Sequence, residues 1–160
     1  MTIYESFGEI DARTAVGHLT RNIKITSGDD EEWGYRLLTY GYSECGSPKF
    51  GTLVLSGVEL ANGGQYDSEK RPTIHLKRLT QGLVESKILQ SSIHHCQGRC
   101  MILDEVNNIK INNNIFASAT NFHIEFKGKK NYKVTTSFNF FVDAHRNYRF
   151  ESNNLPVACI

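Results

Sequence analysis

A short motif recurs along the chain: an apolar residue, three small or polar residues, and a second apolar residue. It reads VLSGV, VESKI, INNNI and VTTSF, and it ends at Val58, Ile88, Ile115 and Phe138. These end positions lie 30, 27 and 23 residues apart. Repeats of this size, with two or three short strands each, stack into solenoids. The pattern therefore predicts a parallel β-helix in which these four residues point inward and stack.

The composition also favours strands and turns over helices. Leu and Ala are few, whereas Asn, Gly, Ser, Thr, Ile and the aromatic residues are plentiful. Asparagine suits the bends between strands because it tolerates left-handed backbone, and the segment Asn107–Ile115 has this character. We predict one all-β domain over residues 1–160, a parallel β-helix of about five coils. An antiparallel β-sandwich is the alternative, since it also has short strands at regular spacing.

Charge and hydropathy exclude several classes of partner. The chain has 18 Lys and Arg residues against 17 Asp and Glu residues, which leaves no strongly basic face for a nucleic acid. No run of about 18 apolar residues occurs, so we expect no membrane insertion by this chain. The N-terminal segment lacks the basic and apolar regions of a signal peptide. No GxSxG, HExxH or P-loop pattern is present, and no cofactor is predicted.

The four cysteines are Cys45, Cys96, Cys100 and Cys159. Cys96 and Cys100 have CxxxC spacing, not the CxxC of a zinc knuckle, so no metal site is predicted. Buried thiols or one disulfide are the remaining interpretations. A disulfide between these two requires a bend that brings their Cα atoms within about 7 Å.

The acidic run GDDEEWG, from Gly28 to Gly34, is dense in oxygen ligands. It lacks the alternating ligands of an EF-hand, so we expect a solvated loop, with a calcium site as the alternative.

Four stretches in order resemble one family. They are AVGHLTRNIKITSGDDEEWGYRLLTYGY, GTLVLSGVELANGGQYDSEKRPTIHLKRL, VESKILQSSIHHCQGRCMIL and VNNIKINNNIFASATNFHIEF. They are similar to segments of the fibrocystin and fibrocystin-like proteins and of the cell-migration-inducing hyaluronan-binding protein. The resemblance covers about Ile10 to Phe126. In two places the chain departs from the family pattern: Lys77 replaces the second histidine of an IHFH motif, and Glu125-Phe126-Lys127 replaces an acidic LED motif.

The resemblance implies a right-handed parallel β-helix that follows a β-rich module called G8 in a large ectodomain. It implies an extracellular or cell-surface location, although the chain shows no signal peptide. That setting also favours a disulfide between Cys96 and Cys100.

The segment SIHHCQGRC is the densest cluster of chemically versatile side chains. PTIHL and SSIHH share an Ile–His pair, so Ile74 and Ile93 are predicted to be equivalent inward positions. Histidines on adjacent coils then share one outer face. The predicted ligand-binding surface consists of Arg71, His75, His94, His95, Arg99, Asp104 and His123. The alternative for the histidines is structural, with the imidazoles bonded to backbone carbonyls.

Three functions remain open. The first is a non-catalytic binding or scaffold module that contacts glycans or protein partners. The second, which the resemblance implies, is a glycosidase acting on an acidic polysaccharide, with Asp67, Glu69, Asp104 and Glu125 as candidate carboxyl groups. The third is a structural subunit whose coil ends are capped by a partner protein.

Overall fold

A computed structural model describes residues 2–5, 8–11, 16–28, 32–66, 68, 70–80 and 84–145. The regular elements in these ranges are all β-strands. They are β1 (Thr2–Glu5), β2 (Gly8–Asp11), β3 (Ile23–Thr26), β4 (Leu37–Glu44), β5 (Ser47–Phe50), β6 (Val54–Ser56), β7 (Val58–Ala61), β8 (Ile74–Leu79), β9 (Ser86–Leu89), β10 (Ser92–Cys96), β11 (Met101–Asn112), β12 (Ile115–Thr120), β13 (Ile124–Lys127), β14 (Tyr132–Ser137) and β15 (Phe140–His145).

Most of these strands pair in parallel and form three ladders. Ladder 1 contains β3, β7, β10, β12 and β15. Ladder 2 contains β4, β8, the first half of β11, and β13. Ladder 3 contains β6, β9, the second half of β11, and β14. The chain visits ladders 1, 2 and 3 in turn and then returns to ladder 1 beside its previous strand. Among the described strands, β1–β2 and β4–β5 pair antiparallel. This order confirms the predicted all-β, β-helix character.

The hydrophobic core contains residues from all three ladders. Alternate side chains of each strand point inward and stack on their equivalents in the next strand. The inward rows are Ile25, Leu60, Ile93, Phe116 and Phe141 in ladder 1; Leu37, Ile74, Met101 and Ile124 in ladder 2; and Leu55, Ile88 and Ile111 in ladder 3. Full burial of one such side chain stabilises the fold by about 1.5–3 kcal/mol.

The corner between ladder 3 and ladder 1 has the same backbone conformation at each of its four occurrences. Its φ angle is 66° at Gly57, 49° at Gln90, 55° at Asn113 and 52° at Phe138. A positive φ favours glycine and asparagine because other side chains crowd the backbone there. The prediction that asparagine occupies bends is confirmed at Asn113, whereas Phe138 holds the same conformation with an unsuited side chain.

The residues that follow these corners form a hydrogen-bonded asparagine stack. Asn114 Oδ1 accepts the backbone N–H of Ser91 at 3.0 Å, and its Nδ2 donates to the Ile88 carbonyl at 2.7 Å. Asn139 repeats the arrangement: its Oδ1 accepts the Asn114 N–H at 3.0 Å, and its Nδ2 donates to the Ile111 carbonyl at 2.9 Å. The stack satisfies backbone groups that would otherwise be unpaired at a buried corner.

The predicted inward row of Val58, Ile88, Ile115 and Phe138 is wrong. Val58 and Ile115 belong to ladder 1, Ile88 belongs to ladder 3, and Phe138 is 84% exposed between two strands. The equivalent positions after this corner in successive turns are Val58, Ser91, Asn114 and Asn139, which are joined by hydrogen bonds and lie 33, 23 and 25 residues apart. These separations are unequal because the connections differ in length from one turn to the next. VLSGV and INNNI each span the end of ladder 3, a corner and the start of ladder 1, so their two apolar residues belong to different sheets. VESKI instead ends within β9, and VTTSF ends at the corner residue Phe138.

Candidate binding surface

Four of the seven predicted ligand-binding residues lie on or beside ladder 2. His75 and Asp104 belong to β8 and β11, and they alternate with inward residues, so both lie on the outer face. Arg99 precedes β11, and its guanidinium pairs with Glu125 of β13. Arg71 is exposed and lies three residues before β8. Three strands of the same ladder therefore bring these groups onto one surface.

The predicted equivalence of Ile74 and Ile93 is wrong. Ile74 pairs with Met101 in ladder 2, whereas Ile93 pairs with Leu60 in ladder 1. Both isoleucines do point into the core, as predicted. In any ladder the residue after an inward isoleucine points outward, so the shared Ile–His pair could not distinguish the two sheets. The histidines of β8 and β10 consequently do not form one ladder on adjacent strands.

The His75 imidazole is hydrogen-bonded to the guanidinium of Arg36. Its Nδ1 lies 2.7 Å from Nη2 of Arg36, a group that only donates hydrogen bonds, so Nδ1 accepts and the ring proton is on Nε2. The side chain is 6% exposed. Burial, followed by the positive charge of Arg36, lowers the pKa of His75 to about 4, so the imidazole is neutral at pH 7. Among the described residues, neither His75 Nε2 nor Arg36 Nε has a hydrogen-bond partner.

Ion pairs occupy the remainder of this surface, both between neighbouring strands and within β13. Lys77 Nζ lies 3.5 Å from Asp104 Oδ2, and Lys127 Nζ lies 3.5 Å from Glu125 Oε1. Arg99 pairs with the other oxygen of Glu125. Asp104 is thus engaged by a cation of the neighbouring strand β8, and Glu125 is engaged by Arg99 and by Lys127 of its own strand.

Among the described residues of this region, cations outnumber carboxylates. Burial and the nearby charge of Arg71 lower the pKa of Arg36, which places the two guanidinium groups within electrostatic range of each other. We call the region the ladder 2 surface, and its ionisable residues are Arg36, Arg71, His75, Lys77, Arg99, Asp104, Glu125 and Lys127. With His75 neutral, the surface carries a net positive charge, which attracts anions.

A second cluster lies on the outer face of ladder 1. Glu59 Oε1 lies 3.2 Å from His94 Nε2 and 2.9 Å from Lys24 Nζ, and Glu59 Oε2 accepts the Arg21 N–H at 3.2 Å. His94 Nδ1 lies 2.6 Å from His95 Nδ1, so one of these nitrogens carries the proton that the other accepts. The hydrogen bond from Lys24 is the largest influence that lowers the pKa of Glu59, and burial lowers that of His94.

Residues 16–22 run along this outer face of ladder 1. Ser92 Oγ donates to the Leu19 carbonyl, and the Arg21 backbone bonds to Glu59. Glu59 and His94 are consequently buried, while His95 stays exposed. In this cluster the Glu59 carboxylate and the His94 imidazole are therefore withdrawn from solvent, whereas Lys24 is exposed.

His123, the seventh predicted residue, lies in the interior and not on a surface. It is 0% exposed, and its ring centroid lies 6.3 Å from that of Phe116 and 5.7 Å from that of Phe141. Burial lowers its pKa. This position makes His123 part of the core packing and separates it from the other predicted residues.

Cys96 and Cys100 form a disulfide with a Cα–Cα distance of 5.2 Å. The bend between β10 and β11 brings the two residues together, which meets the geometric condition set by their spacing. Cys45 is exposed and is not in a disulfide. Cys159 lies outside the described residues.

The sequence interpretation missed Arg36, Lys24 and Glu59. Arg36 directly precedes Leu37, the first residue of β4, and Leu37 pairs with Ile74. The closeness of Arg36 to His75 can therefore be recognised only once the strand register is known. Glu59 gave a local signal, since a carboxylate between Val58 and Leu60 must point outward from a strand.

Two predicted features fall partly outside the described residues. Asp29, Asp30 and Glu31 of GDDEEWG lie there, as do the candidate carboxyl groups of Asp67 and Glu69. Within the described ranges, no group of three or more His, Cys, Asp or Glu side chains has a metal-binding arrangement. The described part of the chain also contains no helix long and apolar enough to cross a membrane.

Comparison with known proteins gives a match to a family model. Residues 45–122 match the family model described as CEMIP beta-helix, a range that runs from just before β5 to just after β12. No curated protein and no solved structure matches the chain. His75, His94, His95, Arg99 and Asp104 lie within the matched range, and Arg36, His123 and Glu125 lie outside it. Over those strands the chain is similar to the CEMIP β-helix, which supports a CEMIP-like family and a β-helix module.

Proposed function

We propose that the chain is a non-catalytic β-helix module whose ladder 2 surface binds an acidic glycan or an acidic protein partner. The observation that carries this proposal is the excess of cations on an outer face built from β4, β8, β11 and β13. Parallel strands lie about 4.8 Å apart, so cations on successive strands are spaced closely enough to meet successive charges of a polyanion. Several charged residues of this face are at least partly exposed, including Arg71, Lys77 and Lys127.

A glycosidase acting on an acidic polysaccharide is the weaker candidate. Such enzymes usually need two carboxyl groups roughly 5–9.5 Å apart, one of which starts protonated. Asp104 and Glu125 lie on the same face, but each is already engaged in an ion pair with a cation of the chain. This arrangement suits a structural or binding role for both groups.

The proposed architecture is a right-handed parallel β-helix of about five coils. Support comes from the order of ladder visits, since β-strand crossovers between parallel neighbours are right-handed in about 98% of cases. The resemblance to fibrocystin-like ectodomains, with a preceding G8 module, belongs to the same proposal. An extracellular or cell-surface location fits the Cys96–Cys100 disulfide, because such bonds persist in oxidising compartments.

A structural subunit is a second candidate, favoured by the last strands. Phe126, Tyr132, Phe138, Phe140 and Val142 are all exposed, and they belong to β13, β14, β15 or the corner between the last two. Within the described part of the chain, these three strands pair on one side only. A partner strand could extend the ladders there by β-augmentation.

Incubation with hyaluronan separates the two glycan-directed functions. The proposal predicts saturable, salt-sensitive binding to the chain and an unchanged polysaccharide length after prolonged incubation. The matched variants are Lys77→Gln on the ladder 2 surface and Lys49→Gln, which removes the same charge from an exposed position of the β5 hairpin. Only Lys77→Gln should weaken binding. Shortening of the polysaccharide, or equal weakening by both variants, would contradict the proposal.

A further inference from the structure

The Arg36–His75 pair has donor capacity that the described chain does not use. His75 Nδ1 accepts from Arg36, so His75 Nε2 must carry a proton if the ring is neutral. That Nε2–H and the Arg36 Nε–H are both buried, and neither has a hydrogen-bond partner among the described residues. Buried polar groups are nearly always hydrogen-bonded, so two adjacent exceptions indicate a place where an external acceptor binds.

The surroundings favour an anionic acceptor. Arg71 lies close enough to Arg36 for its charge to lower the Arg36 pKa. Two carboxylates of the ladder 2 surface already have cationic partners: Asp104 pairs with Lys77, and Glu125 pairs with Arg99 and Lys127. Arg36 is half-buried, so the Arg36–His75 pair can be reached from solvent at Arg36. Arg71 is exposed.

We infer that Arg36 and His75 form an oxyanion-binding subsite, which takes one carboxylate, sulfate or phosphate group from a ligand on the ladder 2 surface. Guanidinium groups bind such oxyanions through paired charge-assisted hydrogen bonds, and the neutral imidazole adds one directed N–H. The subsite rests on the proposed function in its choice of surface. It goes further by naming the residues that would fix one charged group of the ligand.

The histidine side chain provides the direct test. In the ¹⁵N-labelled chain, two-bond ¹H–¹⁵N spectra follow each imidazole while sodium sulfate, phosphate or acetate replaces sodium chloride at constant ionic strength. The subsite predicts a saturable shift of the His75 Nε2 resonance and no comparable shift at exposed His18 or His145. Only sulfate and phosphate should shift the His75 resonance if the subsite prefers tetrahedral anions. Acetate should shift it as well if the subsite also accepts a carboxylate. No response of His75 to any of the three anions would overturn the inference.

Two charge-matched variants add a second measurement. Arg36→Gln removes a guanidinium from the subsite, and Arg78→Gln removes one from an exposed position where it bonds to the Tyr40 hydroxyl. Loss of one charge-assisted hydrogen bond should weaken anion binding about tenfold in Arg36→Gln. Arg78→Gln should bind as the unaltered chain does, and equal weakening in both would show only a general charge effect and overturn the subsite. If Arg36→Gln does not fold, the response of His75 in the unaltered chain still decides.

The two proposals fail in distinguishable ways. Hyaluronan binding with no His75 response to small anions refutes the subsite and leaves the binding function standing. A His75 response without hyaluronan binding refutes the proposed glycan ligand and retains the subsite.

Discussion

At the scale of single residues, burial determines which histidines carry charge. His75 is buried beside a guanidinium, His94 is buried between Glu59 and His95, and His123 lies in the aromatic core. Burial is the largest cause of the lowered pKa in all three. At neutral pH they therefore act as neutral hydrogen-bonding or packing groups, and acid must convert each to a charged form that its surroundings disfavour.

Acid should destabilise the chain, and His75 should account for part of the effect. Its folded-state pKa of about 4 lies below the ordinary histidine pKa of 6.5, so between these values the unfolded chain binds the proton more readily. The stabilising contribution is full above pH 6.5 and is lost as the pH falls towards 4. One proton contributes a slope of at most about 1.4 kcal/mol per pH unit. Urea unfolding between pH 7 and pH 4.5 should show a smaller pH dependence in His75→Asn than in the unaltered chain. Equal slopes would contradict this pKa shift.

At the scale of elements, the strands could be predicted more easily than their register. The alternation of apolar and polar residues in segments such as Lys110–Asn112 marks inward and outward positions locally, and the sequence also identified asparagine as a corner residue. Register depends on the length of each connection between strands. Aligning the recurring motif assumes that equivalent residues recur after similar connections, and the connections of this chain differ in length. The Arg36–His75 contact could not be predicted because it joins residues 39 positions apart, and their alignment depends on that register.

The corner at Phe138 offers a test of the structural register. Its φ of 52° costs about 1–2 kcal/mol for a residue other than glycine or asparagine, and its exposed side chain contributes little packing. Phe138→Asn should therefore raise the free energy of unfolding by about 1 kcal/mol, because Asn113 already fits the equivalent corner. Thermal and urea unfolding would measure the change. Destabilisation would mean that Phe138 packs inward, as the sequence motif predicted.

At the scale of the whole molecule, the inner and outer faces of the ladders have different roles. Their inner faces share one core, and the outer face of ladder 1 is occupied along part of its length by residues 16–22. The outer face of ladder 2 combines net positive charge with two unused donors. The sequence predicted four residues of this face but joined them to histidines of another sheet, because composition does not reveal which ladder a strand enters.

Backbone chemical-shift mapping with a hyaluronan oligosaccharide tests the central claim most directly. If the ladder 2 surface is the binding face, amide shifts should concentrate in β8, in the first half of β11 and in β13, with the largest changes near His75. The strands β6, β9 and β14 of ladder 3 should remain unchanged. Shifts centred on ladder 3 or on the covered face of ladder 1, or no shifts at saturating oligosaccharide, would contradict the account.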